Sequence, residues 1–414
     1  MITKEEFEEL SGKKLIEEDG KLVYKDNLDL NTRTEITELP DNLKVLGYLN
    51  LCYSSITKLP KGLEVENWLE ISGTNIEELP EDTKFGGSLY VRHMKKPFSF
   101  PRVVRVYKGF ECKDTTIKRI PKELYVNYHC DLSYSKFDEL PKVMEVGSCL
   151  YLNNTPTTKL PEGLKNVYGD LNLRDTNVTK LNDNLVIHRT FNFVRTPIEE
   201  LPKGLIVGYW LNLCNTKLRD YSNLHKVCSR FGVTEEKYNE IKDTLAEHTI
   251  SIVKRFSTVL VTFEPNYKGA YLFENENGKF IDADDMFAKI IKQKGNVYHI
   301  QMDGSGEISY LITNGEGRWA HGDTLEEAKD DLLFKIGNRN KDDYEGLTMD
   351  SELSFQDAIT CYRVITGACS FGTRDFVENR LGENRKDKYT VKEIIDLTEG
   401  EYGNKVFSEF FYRD

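Results

Sequence analysis

The feature that most constrains this chain is a proline dipeptide that returns at a nearly fixed interval. An apolar residue followed by proline recurs every 20 or 21 residues, with one gap that Leu181-Asn182 fills. The copies are Leu39-Pro40, Leu59-Pro60, Leu79-Pro80, Phe100-Pro101, Ile120-Pro121, Leu140-Pro141, Leu160-Pro161 and Leu201-Pro202. Proline fixes its own φ and disfavours helix at the preceding residue, so each copy predicts an extended segment. A period of this length predicts a solenoid of stacked coils.

A second pattern keeps the same phase and predicts one strand in every coil. Pairs of apolar residues two positions apart occur once per repeat: Leu28/Leu30, Leu49/Leu51, Leu69/Ile71, Leu89/Val91, Phe110/Cys112, Cys130/Leu132, Leu150/Leu152, Leu171/Leu173, Phe191/Phe193 and Leu211/Leu213. Alternate residues of a strand share a face, so these pairs point inward and their neighbours line a concave sheet. A serine or threonine three residues after most pairs can satisfy buried turn backbone. We predict about ten coils over residues 28–221, after an N-terminal cap over residues 1–27.

The combined pattern resembles the short, 20-residue leucine-rich repeat of the leucine-proline subtype. That subtype occurs in bacterial effector proteins and in bacterial or phage-encoded repeat proteins. Serine or threonine stands here where many families have asparagine, and the far side of each coil is too short for a helix. Phrases at residues 319–325, 365–372 and 389–395 look like a C-terminal module of unassigned role that accompanies such repeats. The resemblance implies a β-solenoid with a parallel concave sheet, and it suggests a phage-encoded inhibitor of a host or defence protein.

Beyond residue 221 the phase is lost, and local patterns predict an acidic, compact α+β domain over residues 222–414. One long helix is expected over residues 234–256 and a short helix over residues 284–293. Strands are expected over residues 258–264, 270–273, 297–302 and 308–312, and further helices over 323–336, 355–365, 373–381, 391–397 and 405–411. The fold class is therefore α+β overall, with a leucine-rich-repeat β-solenoid followed by a mixed domain.

Composition and charge narrow the functional classes. The chain carries 56 basic and 68 acidic residues, a net charge of −12, which argues against a dedicated nucleic-acid coat or membrane-surface protein. It has no apolar run long enough to span a bilayer and no signal-peptide layout, so we expect a cytoplasmic protein without membrane contact. The eight cysteines and seven histidines show no metal-ligand spacing, so no metal or other cofactor is predicted. The sequence does not define the oligomeric state.

An enzyme with a cysteine nucleophile is the first alternative function. Cys369 follows a glycine near an expected helix start, a place where a thiol pKa can be lowered. His321 lies in the same predicted domain and is the candidate base. No known catalytic signature surrounds Cys369, and a buried structural cysteine is the simpler interpretation. We therefore favour a protein without catalytic activity.

A basic belt within the repeat suggests the second alternative, nucleic-acid or nucleotide binding. Residues 92–119 contain two acidic and nine basic side chains, the latter being Arg92, Lys95, Lys96, Arg102, Arg105, Lys108, Lys113, Lys118 and Arg119. Such a belt would attract phosphates or an acidic protein.

The outward strand positions supply the candidate binding residues. Aromatic side chains, which dominate interface energetics, alternate there with amides and charges. The candidates are Tyr48, Trp68, Tyr90, Arg92, Lys113, Tyr151, Asn172, Asn192, Trp210 and Asn212. Aromatic residues that merely shield strand edges are the structural alternative. We predict that the concave face binds a macromolecule, in the first place a protein, and an acidic one if the basic belt takes part.

Overall fold

The computed structural model describes residues 2–302, 304, 306–337, 341–368, 370–382 and 385–412. Contacts within it divide the chain into two compact units. The first, which we call the solenoid unit, comprises Met1–Tyr267, Tyr271–Lys289 and Met302–Glu307. The second, the C-terminal unit, comprises Lys268–Ala270, Ile290–Gln301 and Ile308–Asp414. A β-solenoid followed by a mixed α+β region is confirmed.

A sheet of thirteen strands forms the concave side of the solenoid unit. Ten are the predicted repeat strands, each parallel to the next: Leu28–Asp29, Leu49–Asn50, Leu69–Glu70, Leu89–Tyr90, Phe110–Glu111, Cys130–Asp131, Leu150–Tyr151, Leu171–Asn172, Thr190–Asn192 and Trp210–Asn212. All the inward pairs are buried, which confirms the predicted register. An eleventh parallel strand, Arg230–Thr234, pairs with Trp210–Asn212. The sheet therefore continues past the boundary that we expected at residue 221.

Short strands on the opposite, convex side return the chain to the next coil. They are Leu43–Val45, Glu64–Val65, Lys84–Phe85, Phe98–Ser99, Val103–Val106, Ile117–Arg119, Glu123–Val126, Val143–Val146, Asn166–Val167, Val186–Ile187 and Ile206–Val207. At the N-terminal end, the hairpin of Ile16–Glu18 and Lys21–Tyr24 extends this side of the stack. The helix Lys4–Ser11 begins with a capping box between Thr3 and Glu6. Its Phe7 joins the same apolar core as Leu28, so this segment covers the first coil.

The turns after the concave strands explain why serine or threonine recurs at the same position of most repeats. The residue just before each hydroxyl position has a positive φ, as in Tyr53 at 54° and Arg195 at 56°. Non-glycine residues adopt this conformation only at an energetic cost. In five coils the following threonine donates back across the turn, as Thr196 Oγ1 does to the Phe193 carbonyl at 2.8 Å. Ser135 instead donates to the Cys112 carbonyl of the preceding coil. The predicted role of the hydroxyls in satisfying turn backbone is thus confirmed for these coils, whereas Ser54 Oγ is buried without a hydrogen-bond partner among the described residues.

The helix predicted over residues 234–256 is wrong in its second half. The helix Glu235–Leu245 is followed by the 3-10 turn Ala246–His248 and then by the strand Thr249–Arg255. That strand pairs antiparallel with Thr258–Phe263, and these two are the last strands of the concave sheet. Four of the first five residues from Thr249 are β-branched, and this composition favours a strand over a helix.

The short helix predicted over residues 284–293 is also wrong. Met286–Lys294 is a strand that follows the strand Gly278–Ala283 through the two-residue turn Asp284-Asp285. Both aspartates have positive φ, at 56° and 58°, as a tight hairpin turn requires. Before this turn, Gly278–Ala283 pairs antiparallel with Tyr271–Asn275. A 3-10 turn at Leu224–Lys226 completes the elements that belong mainly to this unit.

The C-terminal unit combines a small antiparallel sheet with short helices. Its strands are Val297–Gln301, Ser309–Thr313, Trp319–Gly322 and the separate pair Glu352–Ser354 and Lys388–Thr390. Its helices are Leu325–Ile336, Phe355–Thr366, Ser370–Phe376, Val391–Leu397 and Asn404–Phe411, with a 3-10 turn at Lys341–Tyr344 and a π turn at Val377–Leu381. The predicted hairpin and helices of this region are confirmed. Residues 303 and 305 of the hairpin turn lie outside the described residues.

Candidate binding surface

The concave sheet brings the ten candidate residues onto one side of the solenoid unit. Six lie in concave strands, Tyr48 and Trp68 directly precede one, and Arg92 and Lys113 follow one by two residues. All ten side chains are half-buried. Their positions are therefore those that the strand pattern predicts. Buried neighbours such as Leu171 and Phe191 hold the strands beneath them.

Aromatic rings form a packed group at the N-terminal end of this surface. The rings of Tyr48 and Trp68 are stacked, with centroids 4.0 Å apart and planes within 9°. Trp68 meets Tyr90 edge to face, with centroids 6.1 Å apart. The guanidinium of Arg92 lies 4.9 Å from the Tyr90 ring centroid, within the range of a cation–π contact. These contacts fix the rings before any partner arrives.

A chain of alternating charges continues from the aromatic group. Arg92 lies between two carboxylates, with Nη2 2.5 Å from Glu70 Oε2 and Nη1 3.4 Å from Glu111 Oε2. Lys113 lies between two others, with Nζ 3.3 Å from Glu111 Oε2 and 3.0 Å from Asp131 Oδ2. Glu70 and Asp131 are buried. The two basic candidates are thus neutralised locally by three carboxylates.

Glu111 connects the two halves of this network. Its Oε1 lies 3.4 Å from Nε2 of His129. The hydrogen bond from His129 and then the charges of Lys113 and Arg92 lower the pKa of Glu111 to about 2, against the opposing effect of partial burial. The carboxylate therefore stays ionised over the whole physiological range, and the network keeps its alternating charges.

The asparagines of the surface also have a structural role that the sequence analysis missed. The side-chain oxygens of Asn172, Asn192 and Asn212 accept the backbone N–H two residues further on, at 3.1 to 3.2 Å. Glu70 and Asp131 make the same bond at the corresponding positions. An acceptor side chain in the middle of most repeat strands thus caps the turn that follows. The recurrence of Asn, Asp and Glu at one phase of the repeat was the available signal.

Tyr151 lies in the middle of the surface beside a carboxylate and a thiol. Its hydroxyl donates to Asp170 Oδ2 at 3.5 Å, and the Cys149 sulfur accepts the backbone N–H of Asp170 at 3.3 Å. Burial and then the hydrogen bond with Cys149 raise the pKa of the Tyr151 phenol well above its ordinary value. The phenol is therefore a neutral hydrogen-bond donor on this surface.

Trp210 marks the far end, where the eleventh strand adds residues that the sequence analysis did not select. A Cβ atom at Gly232 would come within 2.5 Å of the Trp210 ring, so this glycine makes room for the indole. Arg230 places its guanidinium 4.7 Å from the ring centroid of Tyr209. Phe231 and Val233 stand one repeat after Leu211 and Leu213 and are buried like them, a signal that could have revealed this strand.

The basic belt of residues 92–119 does not lie on a single surface. Arg92 and Lys113 belong to the concave side, whereas Arg105 lies in the convex strand Val103–Val106. There its guanidinium lies 4.2 Å from the ring centroid of Tyr125. The Lys96 ammonium pairs with Glu77 at 2.6 Å. The belt is therefore divided between the two sides of the coils, and several of its charges have acidic partners.

The catalytic candidates belong to the C-terminal unit. Cys369 lies outside the described residues. His321 is half-buried on the strand Trp319–Gly322, where it pairs with Leu311 across the sheet. Cys361 is fully buried within the helix Phe355–Thr366, and burial raises its thiol pKa to about 12. A thiol with that pKa is a poor nucleophile at neutral pH.

Among the described residues, no three His, Cys, Asp or Glu side chains are grouped closely enough to hold a metal ion. None of the helices in the described ranges is both long and apolar enough to cross a membrane.

Comparison with protein-family models, with curated proteins and with solved structures found no match to this chain. The likeness to short leucine-rich repeats stays a prediction from the residues.

Proposed function

We propose that this protein binds a protein partner through the concave face of its solenoid unit. The observation that supports this proposal is the row of aromatic and polar side chains, most of them half-buried, from Tyr48 to Trp210. Ring stacking, ion pairs and turn caps already hold many of these side chains in place. Binding then costs little additional side-chain entropy, which favours affinity.

The dimensions of the row favour a macromolecule. Trp68 and Trp210 are separated by seven steps along the sheet. At about 4.8 Å per step, this places them roughly 34 Å apart, far more than a small metabolite spans. The distance suits one side of a standard protein interface.

The charges on the concave face indicate the net charge of the partner less clearly than the sequence suggested. An acidic partner was expected because of Arg92 and Lys113, but each of these lies beside two carboxylates. We therefore propose that aromatic contacts supply most of the affinity and that the net charge of the partner matters less. A host or defence protein as the target, and a cytoplasmic location, remain proposals from the resemblance and the composition.

Two matched tyrosines give the test of this proposal. Tyr90 with Arg92 on the concave side and Tyr125 with Arg105 on the convex side are the same kind of stacked pair. We expect affinity capture from an extract of the source cell to retain one protein on the wild type and on Tyr125→Ala. Tyr90→Ala should lose it, because truncating a central aromatic removes a dominant contact.

The opposite pattern would contradict the proposal. Retention on Tyr90→Ala with loss on Tyr125→Ala would place binding on the convex side. Loss of the captured protein after nuclease treatment would support the nucleic-acid alternative instead.

A further inference from the structure

The last strand of the concave sheet, Thr249–Arg255, has exposed apolar side chains along a free sheet edge. It stands at one end of the thirteen-strand order, with Thr258–Phe263 as its neighbour. Every residue from Ile250 to Arg255 is exposed. Ile250 and Ile252 expose 58% and 52% of their surface, and the turn residue Phe256 exposes 99%. A long apolar edge of this kind is a template for pairing with another strand.

The core of the solenoid unit runs directly into this edge. Phe231 pairs with Val261, and Val261 pairs with Ile252 on the next strand. Directly paired residues point to the same face of a sheet, so these three side chains form one inner row. Phe231 and Val261 are completely buried, whereas Ile252 is half exposed. The apolar layer therefore ends at the sheet edge without a cover.

The backbone hydrogen bonds show which peptide groups face outward. The Glu264 N–H donates to the His248 carbonyl at 2.7 Å, on the side of the edge strand. Alternate residues of a strand direct their peptide groups to opposite sides, so Leu260 and Thr262 also face the edge strand. Their paired residues there are Val253 and Ser251.

The peptide groups of the intervening residues in the edge strand point away from the sheet. Because Ser251 and Val253 direct their peptide groups inward, Ile252 and Lys254 direct theirs away from the sheet. Each presents one N–H and one C=O to an incoming strand. The edge thus offers both an apolar row and a hydrogen-bonding ladder.

We propose that a second copy of this chain covers the edge by pairing the same strand antiparallel about Ile252. The charges support this occupant and this direction. One end of the strand carries Lys254, which pairs with Glu235 of the same chain at 2.7 Å, and Arg255, which supplies the basic charge for a partner. The other end lies beside the exposed acids Glu247 and Glu264. Antiparallel pairing places the basic end of each copy on the acidic end of the other. Parallel pairing would instead set like charges side by side, which is unfavourable.

The two-fold pairing makes a specific arrangement. Ile252 meets Ile252 of the second copy at the centre, and their outward peptide groups bond to each other. The regular register of the edge strand runs from Ser251 to Arg255, with an irregularity at Ile250. Arg255 therefore meets the start of the strand of the other copy near Thr249, and its long side chain extends toward Glu247 in the turn before that strand. The two concave sheets become one continuous sheet.

Charge reversal with rescue tests this arrangement on the full chain. Sedimentation equilibrium should show a concentration-dependent dimer for the wild type. Arg255→Glu and Glu247→Lys each place like charges at both ends of the pair, so each should weaken dimerisation about tenfold. Mixing the two variants should restore near wild-type association, because every end contact in the mixed dimer again joins opposite charges. Ile252→Lys, at the centre, should leave a folded monomer.

Three results would overturn the proposal. A wild-type chain that stays monomeric at all concentrations would exclude the second copy. A dimer that neither reversal weakens would place the interface elsewhere. Weakened variants that do not recover on mixing would exclude antiparallel pairing, and recovery itself would show that both variants are folded.

Discussion

The solenoid unit and the C-terminal unit stabilise their cores in different ways. In the solenoid unit, the same apolar pair recurs in every coil, and the ion pairs of its concave face, such as Arg92 with Glu70, keep one partner partly exposed. In the C-terminal unit, the completely buried Asp331 lies between helices and pairs with Arg363 and with Lys335, the latter at 2.9 Å. Arg363 also lies 3.8 Å from the ring centroid of Phe334. The repeat distributes stability over many similar contacts, whereas the second unit adds a buried ion pair between two helices to its apolar core.

The largest expected loss of stability follows from breaking this buried ion pair. Arg363→Met should destabilise the C-terminal unit by about 3 kcal/mol, because it removes the strongest partner of a buried carboxylate. Hydrogen exchange in the helices Leu325–Ile336 and Phe355–Thr366 measures the loss of protection. Arg380→Met is the control, since its pair with Glu401 is largely exposed and should contribute less than about 1 kcal/mol. An equal loss of protection in the two variants would contradict the prediction that the buried ion pair contributes more stability than the exposed one.

A substitution in the middle of the solenoid tests the distributed core. Leu171 is fully buried, so Leu171→Ala should lower the free energy of unfolding by about 2–5 kcal/mol. Ile252→Ala, on the exposed edge strand of the same sheet, should cost much less in a chain kept dilute. Denaturant unfolding compares the two. A loss below about 1 kcal/mol for Leu171→Ala would contradict the coil register.

A smaller, pH-dependent effect on stability is expected from Glu111, which connects the ion pairs on the concave face of the solenoid unit. The pKa of Glu111 is about 2 in the folded protein, below its ordinary value of 4.5. A lowered pKa means that the ionised group stabilises the folded state above about pH 4.5 and that this contribution disappears as the pH falls toward 2. Glu111→Gln should therefore be destabilised at neutral pH, keep part of this deficit at about pH 3 and approach wild-type stability only at about pH 2. Thermal unfolding across this range checks the trend, and a constant difference would contradict it.

The same contrast explains what could be predicted from the sequence. In the repeat, every strand assignment is supported by its equivalents 20 residues away, so ten inward pairs were placed correctly. Thr249–Arg255 and Met286–Lys294 have no such equivalents, and each was assigned to a helix from its local pattern alone. Their strand conformation depends on partners in the folded sheet.

The candidate surface was predictable in outline and not in its contacts. The outward phase of the strands identified residues such as Trp68 and Tyr151. The pairing of Arg92 with both Glu70 and Glu111 depends on side-chain conformations between neighbouring coils, which the spacing does not determine. For this reason the sequence suggested a basic surface where the structure has a locally neutralised one.

The central claim is that the concave face binds the partner along its length, and one affinity measurement tests it most directly. The dissociation constant for the captured protein should be determined for the wild type, Trp68→Ala, Trp210→Ala and the convex control Tyr125→Ala, after circular dichroism has shown that all are folded. We expect each tryptophan substitution to weaken binding at least about tenfold, or roughly 1.4 kcal/mol, and the control to bind like the wild type. Wild-type affinity in both tryptophan variants would contradict the claim.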